Sequence, residues 1–253
     1  AGDGCLMEGL SHEACSLAGH LKLNKLIMFF DDNSISIDGS TELSTSDDIK
    51  KRFQSYNWNY LKIDGHSFEE INNAIFEAKK SLYPTIIACK TTIGYGSPNK
   101  SGKASSHGSP LGEDEIELVR KELNWDYKAF EIPNDLLKSW RNFHNRNIKI
   151  RDSWIKTNSE ITQSKEFNNY FNNNINNELN KDIIKFKNNH FEEKTICATR
   201  KASELSLNLI SNHLPNLIGG SADLTGSNNT KTKEMKILKA DDFSGSYLHY
   251  GIR

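Results

Sequence analysis

The residues best suited to hold a metal-bound phosphate lie at the start of the chain. Asp3 stands between Gly2 and Gly4 and offers a carboxylate oxygen of the kind that Mg²⁺ prefers. The two glycines predict a sharp backbone turn that a ligand can approach closely. Asn33 follows thirty residues after Asp3, and its amide oxygen is a second suitable ligand. This spacing predicts a site for magnesium and phosphate.

A helix is predicted to follow the glycine turn. Residues 8–21 repeat apolar side chains at helical spacing, so that one stripe of the helix faces a core. The stripe consists of Leu10, Ala14, Leu17, Ala18 and Leu21. The N-terminus of this helix lies just past the glycines, where free amide groups and the helix dipole favour an anion.

The next strand is predicted to end at the ligand site. Residues 26–30 form an unbroken apolar run, which is typical of a parallel strand covered on both faces. Asp31, Asp32 and Asn33 follow at its carboxyl end, the edge at which open α/β sheets bind ligands. Asp3 and Asn33 are therefore expected to end two strands at the same edge, where one Mg²⁺ binds both side chains.

Two longer stretches around these residues resemble transketolase. The first is Gly-Asp-Gly-Cys-Leu-Met-Glu-Gly-Leu-Ser-His-Glu from residue 2, and the second is Asp-Asp-Asn-Ser-Ile-Ser-Ile-Asp-Gly from residue 31. The resemblance implies thiamine diphosphate as the cofactor, bound together with Mg²⁺. Ca²⁺ or another divalent cation could replace the Mg²⁺. It implies that Asp3, Asn33 and the Ile35 carbonyl bind the metal, and that Gly4, Glu8 and Asn33 contact the cofactor.

The same resemblance implies an activity and partners. A transketolase reversibly transfers a two-carbon ketol unit from a ketose phosphate to an aldose phosphate, in the pentose phosphate pathway. The expected partners are these sugar phosphates and, in a protein of full length, a second copy in a homodimer. In the family, glutamates such as Glu8 and Glu13 meet across the dimer interface.

The chain continues with alternating strands and helices. Strands are predicted at 59–64 and 85–91, and a helix at 68–80 begins with a capping box formed by Ser67 and Glu70. Further helices are predicted at 45–53 and 113–123, and a polar loop at 34–46. This order predicts an α/β fold with a parallel sheet and flanking helices, which the resemblance identifies as the thiamine-diphosphate-binding fold.

A glycine- and serine-rich segment, residues 91–112, presents His107 from a loop at the ligand edge of the sheet. The sequence alone is equally consistent with an exposed surface loop. Its segments Lys-Thr-Thr-Ile-Gly-Tyr-Gly and Ser-His-Gly-Ser-Pro-Leu-Gly resemble the transketolase loop whose histidine contacts cofactor and substrate, which implies a catalytic role for His107. The chain departs from many relatives at Lys103-Ala104-Ser105, where they carry a Thr-His pair.

Residues 126–190 are predicted to form a helical connector. The resemblance implies that residues 1–125 are the later part of a diphosphate-binding domain and that residues 191–253 are the start of a pyrimidine-binding α/β domain. Asparagine-rich sequence in the connector is also compatible with disorder. Apolar residues at three- and four-residue intervals favour an amphipathic helix. These residues are Phe167, Phe171, Ile175, Leu179 and Ile183.

Two polar motifs in the last segment are predicted to bind substrate. Thr-Arg-Lys-Ala-Ser from residue 199 and Gly-Gly-Ser-Ala-Asp-Leu-Thr-Gly-Ser-Asn from residue 219 resemble the opening of the pyrimidine-binding domain. The resemblance implies that Arg200 and Ser227 bind the sugar phosphate and that Asp223 contacts the cofactor. A guanidinium group and a hydroxyl are suited to a phosphate dianion.

Composition excludes several other classes of partner. With 253 residues, a net charge of -1 and a pI near 6.8, the chain gives no electrostatic reason to expect nucleic acid or an anionic membrane. Its four cysteines are scattered without CxxC pairing, which indicates neither a disulfide framework nor a zinc site. A reduced, cytoplasmic location is expected, since no signal peptide or apolar span is present.

The first domain is expected to be incomplete, so that the chain is an internal fragment of a transketolase that ends just before the family's catalytic glutamate. Residues 1–253 alone are accordingly expected to be inactive. Two alternatives stay open at this stage. One is another thiamine diphosphate enzyme, such as deoxyxylulose phosphate synthase, and the other is a stand-alone cofactor-binding or regulatory half that pairs with another chain.

Overall fold

The computed structural model describes residues 1–171 and 177–253, which fold as two units, Ala1–Ala129 and Phe130–Arg253. The first unit contains a three-stranded sheet and a short antiparallel hairpin. Its strands are β1 (Ile27–Asp32), β2 (Ile35–Ser36), β3 (Gly39–Ser40), β4 (Asn59–Asp64) and β5 (Thr85–Lys90). Its helices are α1 (Asp3–Met7), α2 (Gly9–His20), α3 (Ile49–Ser55), α4 (Phe68–Ala78) and α5 (Glu113–Glu122).

The sheet has the order β1-β5-β4 with both pairs parallel, which confirms the predicted α/β fold. The central strand β5 is buried on both faces: Ile86 and Ala88 pack with α2 and α3 residues, and Ile87 and Cys89 pack with α4. The edge strand β1 differs from the prediction. Phe30 is 2% exposed but Phe29, on the other face, is 39% exposed, because the layer containing α4 covers Ile27 and stops short of Phe29.

The predicted glycine turn is a helix in the structure. Gly2 precedes α1 with φ −103°, and Gly4 lies inside α1, so neither glycine adopts a conformation that excludes other residues. The helical turn forms because it buries Leu6, which is 4% exposed and packs with Phe30. Ala1 lies beside β1, since its amino group donates to the Phe29 carbonyl at 2.7 Å and its carbonyl accepts from the Asp31 amide at 2.8 Å.

The buried stripe of α2 was predicted only in part. Ala18 and Leu21 are buried, but Leu10 is 75% exposed and Ala14 is also exposed. The core-facing side is rotated toward Gly19, because Tyr56 and Trp58 approach the helix there. The Trp58 indole donates to the Cys15 carbonyl at 2.8 Å and fixes this orientation.

The capping box is half confirmed. The Ser67 hydroxyl accepts from the Glu70 amide at 3.2 Å, as predicted. The Glu70 carboxylate accepts from the Asp64 amide at 2.8 Å and so ties the start of α4 to the end of β4. Ala74 and Ala78 are the buried apolar residues of α4.

The second unit is mainly helical. Its helices are α6 (Asn134–Thr157), α7 (Ser159–Gln163), α8 (Lys165–Phe171), α9 (Asn177–Glu192), α10 (Thr199–Ser211) and α11 (Thr225–Asn228). Two short strands, β6 (Gly219–Ser221) and β7 (Tyr247–His249), pair in parallel. Of the stripe predicted at 167–183, Leu179 is buried, and Ile175 lies outside the described residues. The three-part domain division stays a prediction.

Candidate functional site

A cavity of about 970 Å³ lies at the carboxyl end of β1. Asp3 and Gly4 of α1 line it together with Asp32 at the end of β1 and Ser34 just beyond. Apart from its chain neighbours and the backbone of α1, no heavy atom lies within 4 Å of the position that a Cβ on Gly4 would take, so a ligand has room to approach there. We call this space the Asp3 cavity.

The Asp3 cavity is rich in negative charge. Burial raises the pKa of the Asp3 carboxyl, and the nearby carboxylates of Asp32 and Asp31 raise it further. The Lys90 ammonium counters this charge in part, since it lies 3.5 Å from an Asp32 oxygen and donates to the Ser34 hydroxyl at 2.6 Å. Carboxylate and hydroxyl oxygens are ligands of the type that a divalent cation prefers.

Asn33 lines a second cavity, of about 560 Å³, together with Asp31, Thr91 and Gly94. The Asn33 amide oxygen accepts from the Ile35 amide at 2.9 Å, and its NH₂ group donates to Asp31 at 3.2 Å. Successive strand residues point to opposite faces, so Asp32 faces the Asp3 cavity and Asp31 faces the Asn33 cavity.

The structure thus places Asp3 and Asn33 on two different cavities at the carboxyl end of β1. Among the described residues, no three His, Cys, Asp or Glu side chains are grouped so as to hold a metal ion. The predicted ligand set of Asp3, Asn33 and the Ile35 carbonyl is of another type, because it contains only one carboxylate. The shared Mg²⁺ stays a prediction.

The loop that carries His107 folds back toward the Asn33 cavity. Gly94, with φ 66°, lines that cavity, and a Cβ on it would lie 2.8 Å from the Ser106 hydroxyl. The Ser106 hydroxyl also donates to the Lys100 carbonyl at 2.6 Å. His107 itself is exposed, and its amide donates to the Ala104 carbonyl at 2.8 Å.

In the second unit, the predicted substrate residues are exposed. Arg200 lies in the first turn of α10, and Ser227 lies in α11. Asp223, exposed just before α11, has φ 65°. The exposed Arg200 and Ser227 side chains are available to an anionic ligand.

Comparison with known proteins decides the family. The family described as "Transketolase, thiamine diphosphate binding domain" matches residues 1–180. The chain belongs to this transketolase family. Curated transketolases from Cereibacter sphaeroides and Buchnera aphidicola are 45% and 48% identical to it over 253 and 260 residues. These matches cover all of this chain but only 38% and 39% of those proteins.

Solved transketolases share the fold. A mutant transketolase from Pichia stipitis, in complex with xylulose-5-phosphate, matches with a TM-score of 0.88 and 36% identity over all of this chain and 39% of that one. The transketolase from Campylobacter jejuni matches with a TM-score of 0.80 and 32% identity, over 100% of this chain and 38% of that one. The predicted resemblance to transketolase and the predicted fold are therefore confirmed.

Sequence reasoning missed two polar residues beside the candidate site. Lys90 ends β5 beside β1 and Thr91 follows it, and the Thr91 hydroxyl donates to the Asp31 carboxylate. Both residues follow an apolar strand in the sequence, as Asp31 and Asp32 do. That position after a parallel strand is the signal that identifies them.

A buried carboxylate in α5 anchors the loop that carries His107. Glu115 is 7% exposed and accepts hydrogen bonds from the Ser97 hydroxyl and from the Asn99 amide and side chain, the last two at 2.9 Å. These bonds, led by the one from Ser97, lower the pKa of Glu115 from 4.5 to about 2. The anchor therefore needs the ionised carboxylate.

We expect Glu115→Gln to destabilise the chain at neutral pH and to remove part of its acid sensitivity. Because the folded-state pKa is below the ordinary 4.5, Glu115 contributes its full stabilisation above pH 4.5 and loses it as the pH falls toward about 2. Free energies of unfolding measured between pH 2 and 7 test this expectation. Glu117→Gln, at an exposed position of the same helix, is the control. Equal pH profiles for wild type and Glu115→Gln would contradict the anchor.

Proposed function

We propose that this chain is the part of a transketolase that binds the diphosphate of thiamine diphosphate through a divalent cation. It thereby takes part in reversible ketol transfer from a ketose phosphate to an aldose phosphate, in the pentose phosphate pathway. The observation that carries the proposal is the Asp3 cavity, which is lined by Asp3 and Gly4, two of the residues that the family resemblance assigned to the metal and cofactor. The chain spans about 39% of the length of the relatives it matches.

The oxygen chemistry of the proposed ligands suits Mg²⁺ and a diphosphate. Asp3, Asn33 and the Ile35 carbonyl offer three oxygen ligands, and the open space at Gly4 allows close contact with its backbone. When bound, the cofactor supplies the carbon centre at which the C–C bond is broken and made. Glu8 and Asp223 are proposed as further cofactor contacts. His107 is proposed to contact cofactor and substrate, as a hydrogen-bond donor or a proton-transfer partner.

Sugar phosphates are the proposed substrates. Solved Pichia stipitis transketolases are complexes with xylulose-5-phosphate and sedoheptulose-7-phosphate. Arg200 and Ser227 are proposed to bind the phosphate group, because a guanidinium and a hydroxyl form charge-assisted hydrogen bonds with such an anion. Both side chains are exposed and so accessible to it.

Replacing Arg200 with alanine tests this substrate class. In a full-length transketolase that carries residues 1–253, we expect Arg200→Ala to raise KM for phosphorylated sugars about 10- to 150-fold, the loss of ~1.5–3 kcal/mol of charged hydrogen bonding. Cofactor affinity should change little. Lys201→Ala, which removes a cation paired with Glu204 at 2.8 Å, is the matched control. Equal effects on phosphorylated and unphosphorylated sugars would count against the assignment.

A homodimer in the cytoplasm completes the proposal. The side of α2 that the core leaves uncovered carries Leu10, 75% exposed, and the exposed Glu13, with Glu8 just before the helix. An exposed apolar side chain beside acidic groups suits an interface between copies. Within the described residues, the helices are too short or too polar to cross a membrane.

A further inference from the structure

Tyr247 occupies the interior of the second unit. It is 0% exposed and is the largest of the fully buried side chains among the described residues. Its ring lies against Gly219 of β6, where an added Cβ would be 3.6 Å away, and Met235, 4% exposed, packs at the same point. The ring is therefore held by packing that does not depend on its hydroxyl.

The Tyr247 hydroxyl joins two threonines that flank Ser227. It lies 2.9 Å from the Thr225 hydroxyl and 2.7 Å from the Thr230 hydroxyl. Thr225 begins α11, and Thr230 follows Asn229, whose φ of 54° reverses the chain after the helix. One buried phenol thus ties together both ends of residues 225–230.

Local structure alone cannot hold this segment. The helix α11 has four residues, well below the length at which an isolated helix is stable. Its N-terminal side is fixed through Ser221, whose hydroxyl accepts from the Leu224 amide at 3.0 Å and whose carbonyl accepts from the Tyr250 amide at 3.0 Å. Its C-terminal side is held by the Thr230 contact with Tyr247. It is also held, two residues further on, by Thr232, which is 2% exposed and whose hydroxyl lies 3.4 Å from the Ser211 hydroxyl.

We propose that Tyr247 is a positioning residue that sets the affinity of the site for the phosphate group of the sugar. Its hydroxyl holds residues 225–230 so that Ser227 presents its own hydroxyl in one place, and binding then does not have to order the segment. This inference rests on the proposed role of Ser227. Tyr247 acts through the segment and does not itself contact the substrate.

Tyr247→Phe removes the hydroxyl and keeps the ring. In a full-length transketolase that carries residues 1–253, we expect KM for a phosphorylated ketose to rise about tenfold. The kcat should stay within about twofold, and KM for an unphosphorylated ketose should not change. Tyr250→Phe is the matched control, since it removes a hydroxyl from a tyrosine three residues further on.

A second variant tests the same bonds from the other side. Thr225→Val with Thr230→Val keeps Tyr247 and removes both partners, so it should shift KM for the phosphorylated ketose as Tyr247→Phe does. Amide hydrogen exchange supplies a readout apart from activity: exchange over residues 225–230 should become faster in both variants, with β5 unchanged. If Tyr247→Phe fails to fold, the threonine variant decides the question.

The outcomes separate this inference from the proposed function. In the first outcome, Ser227→Ala raises KM for the phosphorylated ketose, but Tyr247→Phe either leaves it unchanged or raises KM equally for phosphorylated and unphosphorylated ketoses. The positioning role of Tyr247 is then overturned, and the proposed phosphate site stands. If Ser227→Ala leaves KM unchanged, the proposed phosphate site is wrong, and the inference falls with it.

Discussion

Asp3→Ala is expected to lower the affinity for thiamine diphosphate in the presence of Mg²⁺ by at least about 100-fold. This effect exceeds the one expected when a residue that only hydrogen-bonds to a metal ligand is lost. Asp3 supplies the one carboxylate of the proposed ligand set, and alanine has no oxygen to replace it. The measurement is a titration of cofactor into a full-length transketolase that carries residues 1–253, at saturating and at limiting Mg²⁺. Raising the Mg²⁺ concentration should recover only part of the affinity.

The control removes the same charge nearby. Asp38→Asn changes an exposed carboxylate between β2 and β3 and should leave the titration unchanged. Asn33→Ala should weaken binding in the same direction as Asp3→Ala, since both side chains are proposed to bind one cation. Unchanged cofactor affinity in Asp3→Ala would remove this residue from the metal site.

Gly19→Ala is expected to destabilise the chain by roughly 3 kcal/mol, at the upper end of overpacking effects. A Cβ at this position would lie 1.7 Å from the Tyr56 carbonyl oxygen and 3.2 Å from the Trp58 ring. The backbone carbonyl cannot rotate away as a flexible side chain would, so α2 must move off the core. Urea unfolding followed by circular dichroism measures the change.

Gly9→Ala provides the comparison within the same helix. Apart from its chain neighbours and the backbone of α2, no heavy atom lies within 4 Å of a Cβ at Gly9, so alanine meets no obstacle there. Its better helix propensity should stabilise α2 by up to about 1 kcal/mol. Similar unfolding midpoints for Gly19→Ala and Gly9→Ala would show that the Tyr56 carbonyl does not exclude a Cβ at position 19.

Much of the fold follows from local sequence. The strand at 59–64 agrees with β4, and the helices and strands around it agree within a few residues, because each depends on a short apolar pattern and its capping groups. The buried side of α2 does not follow in this way. Leu10 and Ala14 fit the apolar period but remain exposed, because the approach of Tyr56 and Trp58 selects the face that contains Gly19.

The residues of the candidate site were recognisable from the sequence, but their grouping was not. Side-chain types and motif wording identified Asp3, Asn33 and His107. The division of Asp3 and Asn33 between two cavities depends on the alternation of side chains across β1, together with the position of α1. A one-dimensional pattern does not specify which side of a sheet a neighbouring helix covers.

By itself, the sequence determined the family, the α/β order and the identity of the polar groups, because these reside in short stretches of chain. Tertiary structure alone decided which groups act together. Glu115 holds Ser97 and Asn99, and Tyr247 holds Thr225 and Thr230. Each of these contacts joins residues at least 16 positions apart. Such contacts form only when packing of the core brings distant segments together and buries a polar group that then requires a partner.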